Sequence, residues 1–198
     1  MEENANLLRA IRLVAQLSVD TSSRLLSKMI KAAARISIDK TYMAEVSEVT
    51  AKISSEVDEV AGAFIDLVGE MPFKFLFFVR VEDSLLLTDM ILQRTPGSTK
   101  EFNIYAQSAV QEIGNILSSA ISNIFSKDFN IALKPTPPVV IRDFAGVVFS
   151  EYLLNVAAQE NEVFIVETVF NIIEKNIDCY MFLLPAGDKK ILEKHLTE

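Results

Sequence analysis

Residues 60–81 read VAGAFIDLVGEMPFKFLFFVRV. Two runs rich in aromatic and β-branched residues, Val60 to Val68 and Phe73 to Val81, flank Gly69-Glu70-Met71-Pro72, and this arrangement predicts a β-hairpin. From Phe73 to Phe78 the apolar residues are too continuous for a strand with one wet face, so the stretch reads as a central strand buried on both sides. Working outward, Leu85, Leu86, Leu87 and Ile91 suggest a short helix after the hairpin. Before it, Leu7, Leu8, Ile11, Val14 and Ala15, then Leu25, Leu26, Met29, Ile30 and Ala33, recur at helical spacing. The Asp20-Thr21-Ser22 cluster is expected to re-cap or bend that helix.

The second half repeats this order. A helical pattern runs from about Phe102 to Phe125, a bend follows at Pro135, Pro137 and Pro138, and a further segment spans Val139 to Tyr152. Strands are predicted over Val163 to Ile173 and Ile177 to Leu184, turning at Glu174-Lys175-Asn176, before a last helix with Ile191, Leu192 and Leu196. Phe75-Leu76-Phe77-Phe78 leads into Leu86-Leu87 as Tyr180-Met181-Phe182-Leu183 leads into Ile191-Leu192, at the same separation. We read one domain made of two repeats, about 1–98 and 99–198, each a helix–hairpin–helix unit. Hairpins pair antiparallel, so the expected class is α+β, with long helices packed on an antiparallel sheet.

Composition narrows the function. The 198 residues are 50% apolar and 23% charged, enough to bury a core and too apolar for a disordered chain. Lys+Arg 19 against Asp+Glu 27 leaves a net charge of −8, without the basic stripe that nucleic acid requires. The single cysteine, Cys179, reads as a small buried residue in a reducing cytoplasm, and His195, near the carboxyl terminus, reads as structural. No Cys/His group suggests a metal site. The acidic MEENANLL start does not resemble a signal peptide, and Lys74 and Arg80 interrupt the most apolar run, so no membrane insertion is expected. Pro185-Ala186-Gly187-Asp188-Lys189 lacks phosphate-loop spacing and reads as a turn and helix start.

The informative segment is the second long helix. Between Phe102 and Ser126 the only formal charge is Glu112, whereas an ordinary surface helix fills its wet face with Lys and Glu. Helical rotation places Phe102, Ala106, Ala109, Ile113, Leu117, Ala120 and Ile124 toward a core and Ser108, Glu112, Asn115, Ser119 and Ser122 on the opposite side. Glu112 and Asn115, three residues apart, share a face and can act on one ligand. Gly114, Ser118, Ser119 and Ser122 are small and read as a shallow docking face for a partner protein. The first-half helix instead carries Arg9, Arg12, Gln16 and Asp20 on an ordinary solvated face, with Ala10 and Leu13 as the approximate counterparts of Glu112 and Asn115.

Ser108-x3-Glu112-x2-Asn115, followed after 21 residues by Pro137, resembles the motif of the CheC/CheX/FliY family of chemotaxis phosphatases. Glu112-Ile113-Gly114-Asn115 is similar to the family's usual wording, and the two-copy layout is similar to the CheC organisation over essentially the whole chain. The first half lacks the Glu and Asn that CheC proteins often carry twice, and the run after Asn115 is altered to Ile116-Leu117-Ser118-Ser119.

The resemblance implies a pseudo-twofold α+β fold and hydrolysis of the phospho-aspartate of a CheY-like response regulator. Asn115 would orient the attacking water, Glu112 would clamp a cation on the partner, and Ser108 and Pro137 would support the motif as spacer and bend. The chain itself would bind no cofactor, and Mg2+ would belong to the receiver. A non-catalytic adaptor, binding a response regulator or flagellar-switch component through the same face, is the alternative. An α+β ligand-binding domain carrying the motif by accident is the other. The residues leave open a CheD-like partner and a homodimer through exposed hairpin edges.

Overall fold

A computed structural model describes residues 2–45, 47–48, 51, 59–148, 162–172 and 175–186. The chain forms helix α1 (Glu2–Ile30), strands β1 (Ala34–Glu45), β2 (Glu59–Gly69) and β3 (Phe73–Arg80), helix α2 (Val81–Ile91), helix α3 (Ile104–Asp128), and strands β4 (Leu133–Pro135), β5 (Val139–Phe144), β6 (Glu162–Ile172) and β7 (Lys175–Pro185). The fold is α+β. Among the described residues, seven strands join one antiparallel sheet in the order β1-β6-β7-β3-β2-β4, with β5 also paired to β2.

β3 lies inside the sheet between β2 and β7, and both of its faces are buried. Phe73, Phe75, Phe77 and Val79 belong to the core under α1, α2 and α3, whereas Leu76 and Phe78 belong to a second core on the other face. This two-sided burial explains why β3 has no polar alternation. Its rings stack on both sides: Phe73 lies 4.9 Å from Phe125 of α3, and Phe78 lies 5.0 Å from Tyr180 of β7. The second core is closed in part by Ala145 and Val148, where the chain turns helical after β5.

The sheet is arranged about the β3–β7 pair. Leu76 stands opposite Phe182 and Phe77 opposite Met181, so a twofold through their centre exchanges Leu76 with Met181 and Phe77 with Phe182, the residues the sequence comparison equates. Outward from that centre, β1 runs along β6 as β4 and β5 together run along β2. The register shift of β1 between Ile38 and Lys40 falls where Thr136-Pro137-Pro138 separates β4 from β5. Each half therefore lends its outer strand to the other half's hairpin.

Two expectations need correction, and one strand was not foreseen. α1 runs without a break through Asp20-Thr21-Ser22, because Val19, Ser22 and Leu26 are buried and tertiary packing outweighs the capping preference of those residues. Lys175 and Asn176 pair with Ile172 and Asn171 inside the hairpin, so they are strand, not turn. β1, absent from the sequence reading, supplies one edge of the sheet. The expected helix at Ile191, Leu192 and Leu196, and His195, lie outside the described residues.

Candidate functional site

The site is built on α3. Asn103 caps the helix, its side-chain oxygen accepting from the N–H groups of Tyr105 at 3.0 Å and Ala106 at 3.3 Å. The helix packs on α1 and α2 as well as on β2, β4 and β5, so it is covered on more than one side. Its buried arc extends past the residues assigned to the core from sequence and takes in Val110, Gly114, Ser118, Ile121, Ser122 and Phe125.

Gly114, Ser118 and Ser122 consequently do not form a docking face; they are buried. The smallness of Gly114 serves the interior. A Cβ there would stand 2.8 Å from the Ala63 Cβ, 3.4 Å from the Ile65 Cδ1 and 3.7 Å from the Pro138 Cβ, so glycine lets α3 lie down on β2. Ser119 is half-buried.

What faces water is a narrower stripe. Glu112 and Ser108 are exposed and Asn115 is half-buried. Their helical spacing puts the Glu112 carboxylate and the Asn115 carboxamide on neighbouring turns, with Cβ atoms about 5–6 Å apart. Among the described residues neither side chain has a hydrogen-bond or ion-pair partner, which leaves an acceptor and a donor–acceptor group open outward. The Ser108 hydroxyl donates to the Ile104 carbonyl at 2.8 Å, a bond within the helix. Pro137 is exposed and lies between β4 and β5, not between helix and strand. Its neighbour Thr136 anchors that connection, donating its N–H to the Asp66 carbonyl at 2.8 Å and accepting the Asp66 N–H on its hydroxyl at 3.1 Å.

α1 shows what the same position holds in the first half. Its buried pattern at Ile11, Val14, Ala15 and Leu26 matches that of Val110, Ile113, Gly114 and Phe125. The match sets Leu13, 48% exposed, against Glu112 and Gln16 against Asn115. The counterparts are thus Leu13 and Gln16, one turn further along than the sequence alignment to Ala10 and Leu13. The carboxylate is missing there and an amide on a longer arm is kept.

Sequence reasoning also passed over the start of the stripe. Ile104 is 67% exposed and Tyr105 52%, and the Arg94 guanidinium lies over the Tyr105 ring, 5.0 Å from its centre. Two apolar residues directly after a capping Asn, in helical register with Glu112, were the available signal. Among the described residues no group of three or more His, Cys, Asp or Glu could hold a metal ion, and no helix is long and apolar enough to cross a membrane. Burial pushes the Cys179 thiol well above its ordinary pKa, with Asp83 and Asp178 adding to the shift, so it stays protonated.

Residues 106–142, from α3 through β5, match the CheC-like family. The fold is shared with FliY of Thermotoga maritima, at a TM-score of 0.79 and 14% identity over 96% of this chain and 95% of that one. The FliM middle domain of H. pylori aligns at a TM-score of 0.72 and 13% identity, over 94% of this chain and 97% of that one. CheX in the CheX–CheY–BeF3–Mg complex of Borrelia burgdorferi aligns at a TM-score of 0.55 and 14% identity, over 86% and 96%. The outward carboxylate and amide of α3 thus lie inside the stretch that matches the CheC-like family, and the strands and helices around them are laid out as in FliY and CheX.

Proposed function

We propose that this protein hydrolyses the phospho-aspartate of a CheY-like receiver domain, with Asn115 and Glu112 entering the receiver's active centre. The observation that carries this reading is a pair of outward side chains, unpartnered among the described residues, on a helix stripe with no other formal charge. Acyl-phosphate hydrolysis requires a water in line with the departing aspartyl carboxylate, and positioning with electrostatic stabilisation supplies most of such catalysis. The Asn115 carboxamide can accept one hydrogen bond and donate another, which holds a water without any change of protonation. As the water oxygen bonds to phosphorus, the P–O bond to the aspartate breaks, releasing inorganic phosphate and a free carboxylate. Glu112 pairs with a cation of the receiver, in this family's manner its active-site lysine, and fixes the register. Mg2+, where required, is the receiver's.

Decay of a phosphorylated receiver, followed with and without the protein, tests this. Asn115→Ala should abolish the acceleration, a loss of about 10²-fold or more for a group that orients the nucleophile. Glu112→Ala should chiefly weaken receiver binding. Unchanged rates in both variants would remove the assignment. The Leu13 and Gln16 face of α1 and the fold shared with FliM favour a second reading, an adaptor that binds a receiver or a flagellar-switch protein. Binding that leaves the phosphoryl lifetime unchanged would select it.

A further inference from the structure

The phosphatase reading uses the middle of α3 and leaves the first turns of the same stripe without a role; the inference below rests on that reading. Ile104 and Tyr105 precede Glu112 by two turns and, with Ser108 between, lie in line with it. Tyr105 is 52% exposed, yet it is held, because the Arg94 guanidinium stacks 5.0 Å from its ring centre. Arg94 is held in turn. Its N–H donates to the Asp89 carbonyl at 2.7 Å, and the wholly buried Asp89 carboxylate accepts from the Thr99 hydroxyl at 2.6 Å and the Thr99 N–H at 3.0 Å. A buried charge with no part in the proposed chemistry thus pins the loop between α2 and α3 and displays one arginine on one tyrosine.

We propose that Tyr105 and Arg94 form a second anchor for the phosphorylated receiver, one that sets affinity and partner choice and takes no part in the chemical step. Charge complementarity identifies the occupant. The stripe carries a carboxylate at Glu112 and a guanidinium beside Tyr105, separated by about 10 Å along the helix. With the receiver's lysine at Glu112 and its phosphoryl group at Asn115, the surface that fits Arg94 and Tyr105, about 10 Å further along the helix, is an acidic, partly apolar rim beside that centre. Exposed Tyr and Arg, held rigid and flanking a polar centre, are the residue types that dominate interface energies.

The test is receiver dephosphorylation at varied receiver concentration, together with binding of the receiver carrying beryllofluoride in place of phosphate. Tyr105→Ala should raise KM and weaken binding about tenfold while kcat changes little, the reverse of Asn115→Ala. Tyr105→Phe, which keeps the ring beneath Arg94, should restore KM toward the wild-type value. Arg94→Glu should raise KM as Tyr105→Ala does, and tests the anchor from the loop side if the tyrosine variant folds poorly. An unchanged KM in Arg94→Glu and Tyr105→Ala, with an active wild type, overturns the anchor and leaves the phosphatase reading standing. A wild type that neither binds nor dephosphorylates any receiver removes both.

Discussion

Gly114 shows how a residue can be right for a motif for a reason other than the obvious one. Its smallness reads from sequence as room for a partner, yet its Cα faces Ala63 and Ile65 of β2. Ala63 is itself the smallest chiral side chain, so the added methyl of Gly114→Ala has to be absorbed by moving the helix off the strand. The expected cost is about 1–3 kcal/mol in urea unfolding, together with reduced activity, because Asn115 is the next residue and shifts with the helix. Asp89 gives a second residue-scale expectation. Burial alone would raise its carboxyl pKa from the usual 3.8, but hydrogen bonds from the Thr99 hydroxyl and the backbone N–H groups of Thr99, Gly97 and Ser98 bring it below that value. A lowered folded-state value contributes stability at pH above 3.8 that is lost as pH falls through the lower value. Unfolding measured from pH 7 downward should show a drop below about pH 4 that is flattened in Asp89→Asn. That Glu112 and Asn115 stand clear of the core was legible from helical spacing on a stripe whose one charge is Glu112; Gly114, Ser118 and Ser122 were misread because rotation about one helix does not reveal how many neighbours it has.

At the scale of elements, the hairpins and long helices could be read and β1 could not. β2 and β3 declare themselves through apolar and aromatic runs on either side of Gly69 and Pro72. β1, with Arg35, Asp39 and Lys40 in a half-exposed edge, carries too little apolar alternation to stand out. Its free edge is covered by α1. The Ser27 hydroxyl accepts from the Ala34 N–H at 2.9 Å, the Ser23 hydroxyl accepts from the Ile36 N–H at 2.8 Å, and Arg12 donates to the Thr41 carbonyl at 3.3 Å. Side chains of a helix therefore take the place of a missing neighbour strand, and they block edge-to-edge pairing there. Replacing both serines, Ser23→Ala with Ser27→Ala, leaves two partly buried N–H groups unpaired. The double variant should lose about 2–4 kcal/mol in denaturant unfolding. Equal stability of the two proteins would mean that water satisfies those groups and that the contacts are incidental.

At the scale of the molecule, the exchange of outer strands governs how the protein assembles. β1 from the first half pairs along its length with β6, β5 from the second half pairs with β2, and the two hairpins meet at β3 and β7. Much of the sheet thus connects one half to the other, and α1 packs on α3 across the same division. Neither half has a complete sheet of its own. The first half alone would expose the β7-facing edge of β3 and the Phe77 ring that stacks on Phe170, 5.9 Å between centres. Chains spanning 1–98 and 99–198, produced separately, should give collapsed spectra without dispersed amide resonances, and mixing them should restore a folded complex with the spectrum of the intact protein. If either half alone showed a dispersed, cooperative fold, the interlocked sheet would not be the unit of stability. The internal similarity legible in the sequence would then mark two domains side by side and not two halves of one core. The expectation that they fold only together follows from the hydrogen-bond ladder: strands left without partners at both β1 and β5 would each expose unpaired backbone groups that the intact sheet satisfies.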